Sequence, residues 1–201
     1  LIALFLLKKE IIMLQNTHLF MVLIGCRPIG RHTEQHDVFF GCANSLKELL
    51  PEINLFWPEA KGNFHIDAWQ AITYVDGFSI KVYEQVNAPK NTCAEQLFFI
   101  NLGGYKPNEF EEFHYKMVVA AVDKGVAVRN AKQTAFYKHT GFKGATAHID
   151  DKYGIDADDI HQLTDILSPK TKEKYKIVLE KTENGEATEM QLGYLPIRKI
   201  V

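Results

Sequence analysis

Leu19-Phe20-Met21-Val22-Leu23-Ile24-Gly25 can be laid over Leu97-Phe98-Phe99-Ile100-Asn101-Leu102-Gly103 at a spacing of 78 residues, and this pairing decides the fold. Further matches follow in order. Arg27-Pro28 falls on Lys106-Pro107 after one inserted residue, Glu34-Gln35-His36 on Glu112-Phe113-His114, and Phe56-Trp57 on Phe136-Tyr137. His65-Ile66-Asp67 meets His148-Ile149-Asp150 at a spacing of 83. A tripeptide recurs by chance in a chain of this length, so the weight lies in the order of the whole series, the signature of an internal repeat.

Local patterning agrees in the two halves. Residues 19–26 form an apolar run of β-formers, ended by Gly25, Pro28 and Gly30, which predicts a strand and a turn. Residues 34–42 predict a second strand. Ser45 to Glu48 has the form of a capping box, and Leu46, Leu49, Leu50 and Ile53 make a helical stripe that Pro51 should shorten or kink. In the second half, 97–104 and 112–121 predict strands. Asp123 is suited to cap a helix reaching about His139, and Gly141 to close it. Extended segments follow at Phe78–Glu84 and about Ile160–Leu167. Tyr175–Lys181 and Met190–Ile197, joined across Asn184-Gly185, predict a closing hairpin. The fold expected is α+β: two tandem, internally duplicated strand-strand-helix-strand roll units with small, mainly antiparallel sheets. The boundaries expected are an N-terminal extension at 1–17, a first unit at 18–88 and a second at 96–201 that includes the hairpin.

With 201 residues, 46% of them hydrophobic and 24% charged, the chain can bury one compact core or two small ones, and disorder and coiled coil are excluded. There are 25 acidic and 23 basic side chains and no long basic run, so no footprint for nucleic acid is visible. Cys26, Cys42 and Cys93 are odd in number and lack zinc-ribbon spacing, in keeping with a reducing cytoplasm. The apolar run Leu1–Leu7 has no preceding positive charge and is too short to span a bilayer, so no membrane association is expected. Because the first Met is Met13, residues 1–12 are left out of the fold argument.

Three longer strings carry a family resemblance: Gly-Cys-Arg-Pro-x-Gly-Arg-x-Thr-Glu-Gln-His-Asp-Val-Phe-Phe-Gly at 25–41, Leu-Phe-Phe-Ile-Asn-Leu-Gly-Gly-Tyr-Lys-Pro at 97–107, and Gln133 to Gly154. Together they resemble the bacterial family of unknown function designated DUF1543, over about residues 18–200. The resemblance implies a soluble bacterial protein; it carries over no activity and no catalytic residue.

The polar residues singled out are Glu34, His36, His65 and Asp67, echoed by Glu112, His114, His148 and Asp150. Residues two apart on a strand share a face, so Glu34 with His36, and His65 with Asp67, each present two polar groups side by side. Three readings stand. A structural clasp fastens the strand pair to the segment after the helix; a pocket holds a small ligand or a partner; a metal-assisted or acid-base enzyme uses the pairs. Recurrence in both units favours the clasp, because architecture is copied more readily than an active site. The function expected is a non-catalytic module of two repeats that binds a small ligand or partner, with the enzyme as alternative. No cofactor is implied, and no residue is assigned as catalytic or as a metal ligand.

Other motifs fall away on inspection. Phe136-Tyr137 to Gly141-Phe142 is similar to the helix end of acetyl-coenzyme A-dependent acetyltransferases, but no pyrophosphate loop precedes it. Gly25–His32 imitates a phosphate loop with Arg31 and His32 in place of Lys and the hydroxyl residue. Gly141–Gly144 has the form of an RNA-clamping loop without the helix that should follow. Asp150 to Asp159 lacks the Glu that closes a calcium loop. No nucleophile elbow is present.

Overall fold

The computed structural model describes residues 17–105, 108–133, 149–150, 154–155 and 157–200. The first sixteen residues of the expected extension, the helix beyond 133, Phe136-Tyr137, Gly141, His148, Asp151 and Asp156 lie outside the described residues. The chain forms two compact units, one running to Asn91 and resuming at Leu167, the other Thr92–Ile166.

In the first unit, β1 (His18–Cys26) is an apolar strand flanked on both sides by antiparallel neighbours, β2 (Gln35–Ala43) and β3 (His65–Ile72). Its inward side chains Phe20, Val22 and Ile24 pack with Phe39, Ile66 and helix α1 (Leu46–Phe56), which contributes Leu46, Leu49 and Ile53. The apolar stripe read from the sequence is thus the buried face of α1. The expected capping box does not form, and a bond one residue earlier takes its place. The Ser45 side chain makes no cap bond, whereas Glu48 reaches back to accept from the Asn44 backbone N–H at 3.1 Å. Pro51 sits within the helix. Then β4 (Tyr74–Val75) and β5 (Phe78–Glu84) form a tight hairpin whose corner, Asp76-Gly77, has φ of +46° and +89°. Two positive φ values in succession suit the right-handed twist of the strands, and an Asp-Gly pair adopts them readily.

In the second unit, β6 (Gln96–Tyr105) is the central strand between β7 (Glu112–Ala121) and β10 (Ala157–Gln162). Helix α2 (Lys124–Lys132) follows β7, and Asp123 caps it as expected, accepting from the Val126 N–H at 2.8 Å. Ala127 and Ala131 seat α2 on Phe98, Ile100 and Leu102. Short strands β8 (Ile149–Asp150) and β9 (Gly154–Ile155) pair with each other. A single turn, α3 (Leu163–Ile166), ends the unit.

The registers of the two units run in step. His18 pairs with Ala43, and 78 residues on Gln96 pairs with Ala121; Leu46 and Lys124, which open the helices, are also 78 apart. For the third strand the offset is 91. Ile66 faces Ile24 and Ala68 faces Leu23, with Asp67 bulged between; Ala157 faces Leu102 and Asp159 faces Asn101, with Asp158 bulged between. The 83-residue match of His65-Ile66-Asp67 with His148-Ile149-Asp150 therefore does not mark equivalent strand positions, because Ile149-Asp150 pairs with β9 and β10 takes the place beside the central strand.

The C-terminal segment departs from the expected hairpin and from its place in the second unit. Helix α4 (Pro169–Lys174) leads into β11 (Tyr175–Lys181), which pairs with β5, while β12 (Gln191–Pro196) pairs with β3 in the other sheet. Each of these strands thus extends one edge of a different sheet of the first unit. Gly185 is not a hairpin corner: a Cβ there would collide with the Tyr74 ring, so close packing asks for glycine. Among the described residues no helix is long and apolar enough to cross a membrane.

Candidate functional site

The site lies at the end of the first unit's larger sheet where β1 runs out. In the register, His36 of β2 and His65 of β3 both face Gly25 of β1, one from each side. Directly paired residues point to the same face of a sheet. Two histidines a strand apart would ordinarily be separated by the side chain between them, and here that position is glycine. A Cβ on Gly25 would stand 2.6 Å from His65 Nε2 and 2.7 Å from Asp67 Oδ2. The absence of a side chain at Gly25 is what lets the imidazoles close on a common point. The bulge at Asp67 re-aims its carboxylate into the same space, and Glu34 enters from the residue just before β2.

The four side chains form a ring of alternating imidazole and carboxylate. His36 Nε2 is 3.2 Å from Asp67 Oδ2 and 3.8 Å from Glu34 Oε2; His65 Nε2 is 3.2 Å from Asp67 Oδ1 and 3.3 Å from Glu34 Oε1. Each Nε2 carries at most one hydrogen, so at most two of these four contacts are able to be hydrogen bonds. The shortfall is greater than that count requires: His65 Nε2 and Asp67 Oδ2 are both buried and have no hydrogen-bond partner, their contacts being close but badly aligned. A clasp would align its donors on its acceptors. The contacts about His65 are short without that alignment.

Two imidazole nitrogens with carboxylate oxygens are a donor set able to hold a cation. Ligand atoms about an ion held at roughly 2.0–2.2 Å stand about 3.3–3.6 Å apart in a tetrahedron; the imidazole–carboxylate contacts run from 3.2 to 3.8 Å, each carboxylate meeting the two imidazoles through different oxygens. One ligand atom from each of Glu34, His36 and His65 lies within 4.8 Å of the other two; Asp67 falls outside this trio yet touches both imidazoles. The ring is open on one side. The His65 side chain is 9% exposed, against 43% for His36 and 45% for Glu34. Tyr194 of β12 lays its ring against His65, centroids 4.3 Å apart, and so covers the buried imidazole. Nearby, burial pushes the Cys26 thiol up, and the charges of Glu34 and Glu59 push it further the same way.

The sequence grouped Glu34 with His36 and His65 with Asp67, and the structure brings all four together. Tyr194 and Gly25 were not singled out as site residues. Gly25 was legible only as a turn signal, and Tyr194 reaches the site through a strand pairing some 130 residues distant in sequence. In the second unit, Glu112 and His114 lie on β7, where His114 faces Gly103 as His36 faces Gly25. The offset of 91, carried along the sequence, reaches Asp156 where the first unit has His65. His148 lies outside the described residues, and the side chain of Asp150 does as well.

Residues 31–82 match the family described as Domain of Unknown Function (DUF1543), the family that the sequence resembles. Among solved structures, the chain is similar to protein Il1583 from Idiomarina loihiensis, with 21% identity and a TM-score of 0.59 over 90% of this chain and 98% of that one. That likeness is one of fold. No curated protein matches.

Proposed function

We propose that the DUF1543 segment at residues 31–82, which holds Glu34, His36, His65 and Asp67, is the binding part of a small-ligand module, and that its ligand is one divalent transition-metal ion. The observation that carries this reading is the unpartnered, buried Nε2 of His65, one corner of the ring. An unsatisfied buried polar atom costs about 1–3 kcal/mol, and a cation held by Glu34, His36 and His65, with Asp67 against both imidazoles, removes that cost at His65. Two imidazole nitrogens with carboxylate oxygens suit zinc and its neighbours in the first transition row better than calcium or magnesium, which prefer all-oxygen shells.

The two units read as copies of one strand-strand-helix-strand module, supported by the shared offsets of 78 and 91 and by the bulge at the same place in each. The copies differ where it matters, since the second has Asp156 in the series position of His65; binding therefore rests on the first. A bacterial cytoplasmic setting belongs to the same reading, supported by the family resemblance and by three cysteines outside any disulfide.

The test is metal analysis of the purified chain, followed by chelation and titration of zinc into the stripped protein. One ion per chain is expected, with a higher melting temperature when loaded and at least about tenfold weaker binding in His65→Ala and His36→Ala. No saturable binding of zinc, cobalt, nickel or manganese would sink the reading.

A further inference from the structure

Resting on that reading, we propose that the bound ion keeps one coordination position open toward the turn between β1 and β2, and that a small oxyanion occupies it, held also by Arg27 and Arg31. Three protein ligands with a free fourth position is the arrangement of zinc sites that exchange ligands, whereas a closed set of four marks a structural site. The trio here is Glu34, His36 and His65. Its two members nearest the turn are almost half exposed, so the open position faces solvent rather than the core.

Charge sets what enters. A divalent ion is balanced by Glu34 and Asp67, and the site itself is then neutral. The turn that follows β1 adds Arg27 and Arg31, both exposed, and closes on itself by a bond from the Arg31 N–H to the Pro28 carbonyl at 3.2 Å. Arg27 lies one residue beyond the Cys26–Gln35 pair, and Gly25–His36 is the next pair in, so the first arginine starts within two residues of the ring. Guanidinium groups are suited to the planar, two-oxygen face of a carboxylate or phosphate. The ligand class is an oxyanion group, carboxylate or phosphate, on a small molecule.

The experiment uses the full chain loaded with cobalt(II), whose visible bands report coordination. Inorganic phosphate and acetate are titrated in separately. The expected result is a saturable change in the bands with at least one of them, the better probe identifying the class. In the Arg27→Ala/Arg31→Ala double variant that affinity should fall about tenfold or more, with cobalt affinity and melting temperature unchanged. Cobalt bands that ignore both anions, or an anion affinity indifferent to the two arginines, overturn this inference and leave the metal site standing. A chain that takes up no cobalt overturns both.

Discussion

A methyl group on Gly25 would stand 2.6 Å from Nε2 of His65, so the site exists only because this position carries no side chain. Gly25→Ala is expected to push His65 and Asp67 apart, costing about 1–3 kcal/mol in overpacking and weakening metal binding by at least about tenfold. Gly41→Ala is the control. Its methyl would meet Leu49 and Phe39 in the core, each at 2.8 Å, and should lower stability with no direct effect on the metal site. Thermal melts and zinc titration on both variants separate the two effects; equal losses of metal affinity would contradict the assignment.

Cys42 is buried in β2, and burial, with the nearby charge of Glu52, pushes its thiol up to about 12 from 9.0. Only the thiolate is the nucleophile. At pH 8, iodoacetamide should leave Cys42 unmodified in the native protein and label it in urea, while the half-buried Cys93 is labelled in both. The sign of the stability effect follows. A thiol pKa raised by folding gives stability that is whole below pH 9 and is lost as pH rises toward 12. The loss is at most about 1.4 kcal/mol per pH unit. Cys42→Ala should therefore show a flatter alkaline decline than the parent in urea melts at pH 8 to 10.5.

How far the sequence could be read follows a physical boundary. The run Leu19–Gly25, the stripe of α1 and the cap at Asp123 are local, and each is written in consecutive residues. The destinations of β11 and β12 are not, because an edge strand takes its partner from whichever edge is open, far away in sequence. Asn184-Gly185 imitated a hairpin corner, yet its glycine answers to Tyr74; the tight corner with both φ values positive is Asp76-Gly77. The same boundary crosses the site. Pairs two residues apart exposed Glu34 with His36 and His65 with Asp67, whereas the role of Gly25 emerged only from three-strand register. The repeated tripeptide does not mark equivalent strands, since Ile66 lies on β3 beside the central strand and Ile149 on the short β8.

Glu52 of α1 accepts through one oxygen from two hydroxyls, Ser168 Oγ at 2.7 Å and Thr171 Oγ1 at 2.8 Å, and thereby fastens α4 to α1. Ser168 also caps α4 by accepting from the Thr171 N–H at 3.0 Å. Thr171 is fully buried, so loss of its acceptor leaves a hydroxyl with nowhere to go. Glu52→Ala should cost about 1–3 kcal/mol in urea denaturation. Thr171→Val, which removes the donor and keeps the shape, should cost less. The reverse order would mean that packing, not the shared carboxylate, holds α4.

Tyr194 tests the reach of the last strand. Its ring lies against His65 at 4.3 Å between centroids while its outer face remains in solvent. β12 is the edge of its sheet and pairs with β3 on either side of Tyr194, which sits in the register shift between Leu192 and Leu195 and lays its ring on the imidazole from outside. The hydroxyl has no part in this, so Tyr194→Phe should leave melting temperature and zinc affinity as they are. Tyr194→Ala removes the ring contact, worth about 0.5–1.5 kcal/mol, and opens His65 to water. Zinc affinity should then fall three- to tenfold by the same free energy, about 1.4 kcal/mol being a factor of ten. An unchanged affinity in Tyr194→Ala would show that Gly25 and Asp67 orient His65 without help from β12.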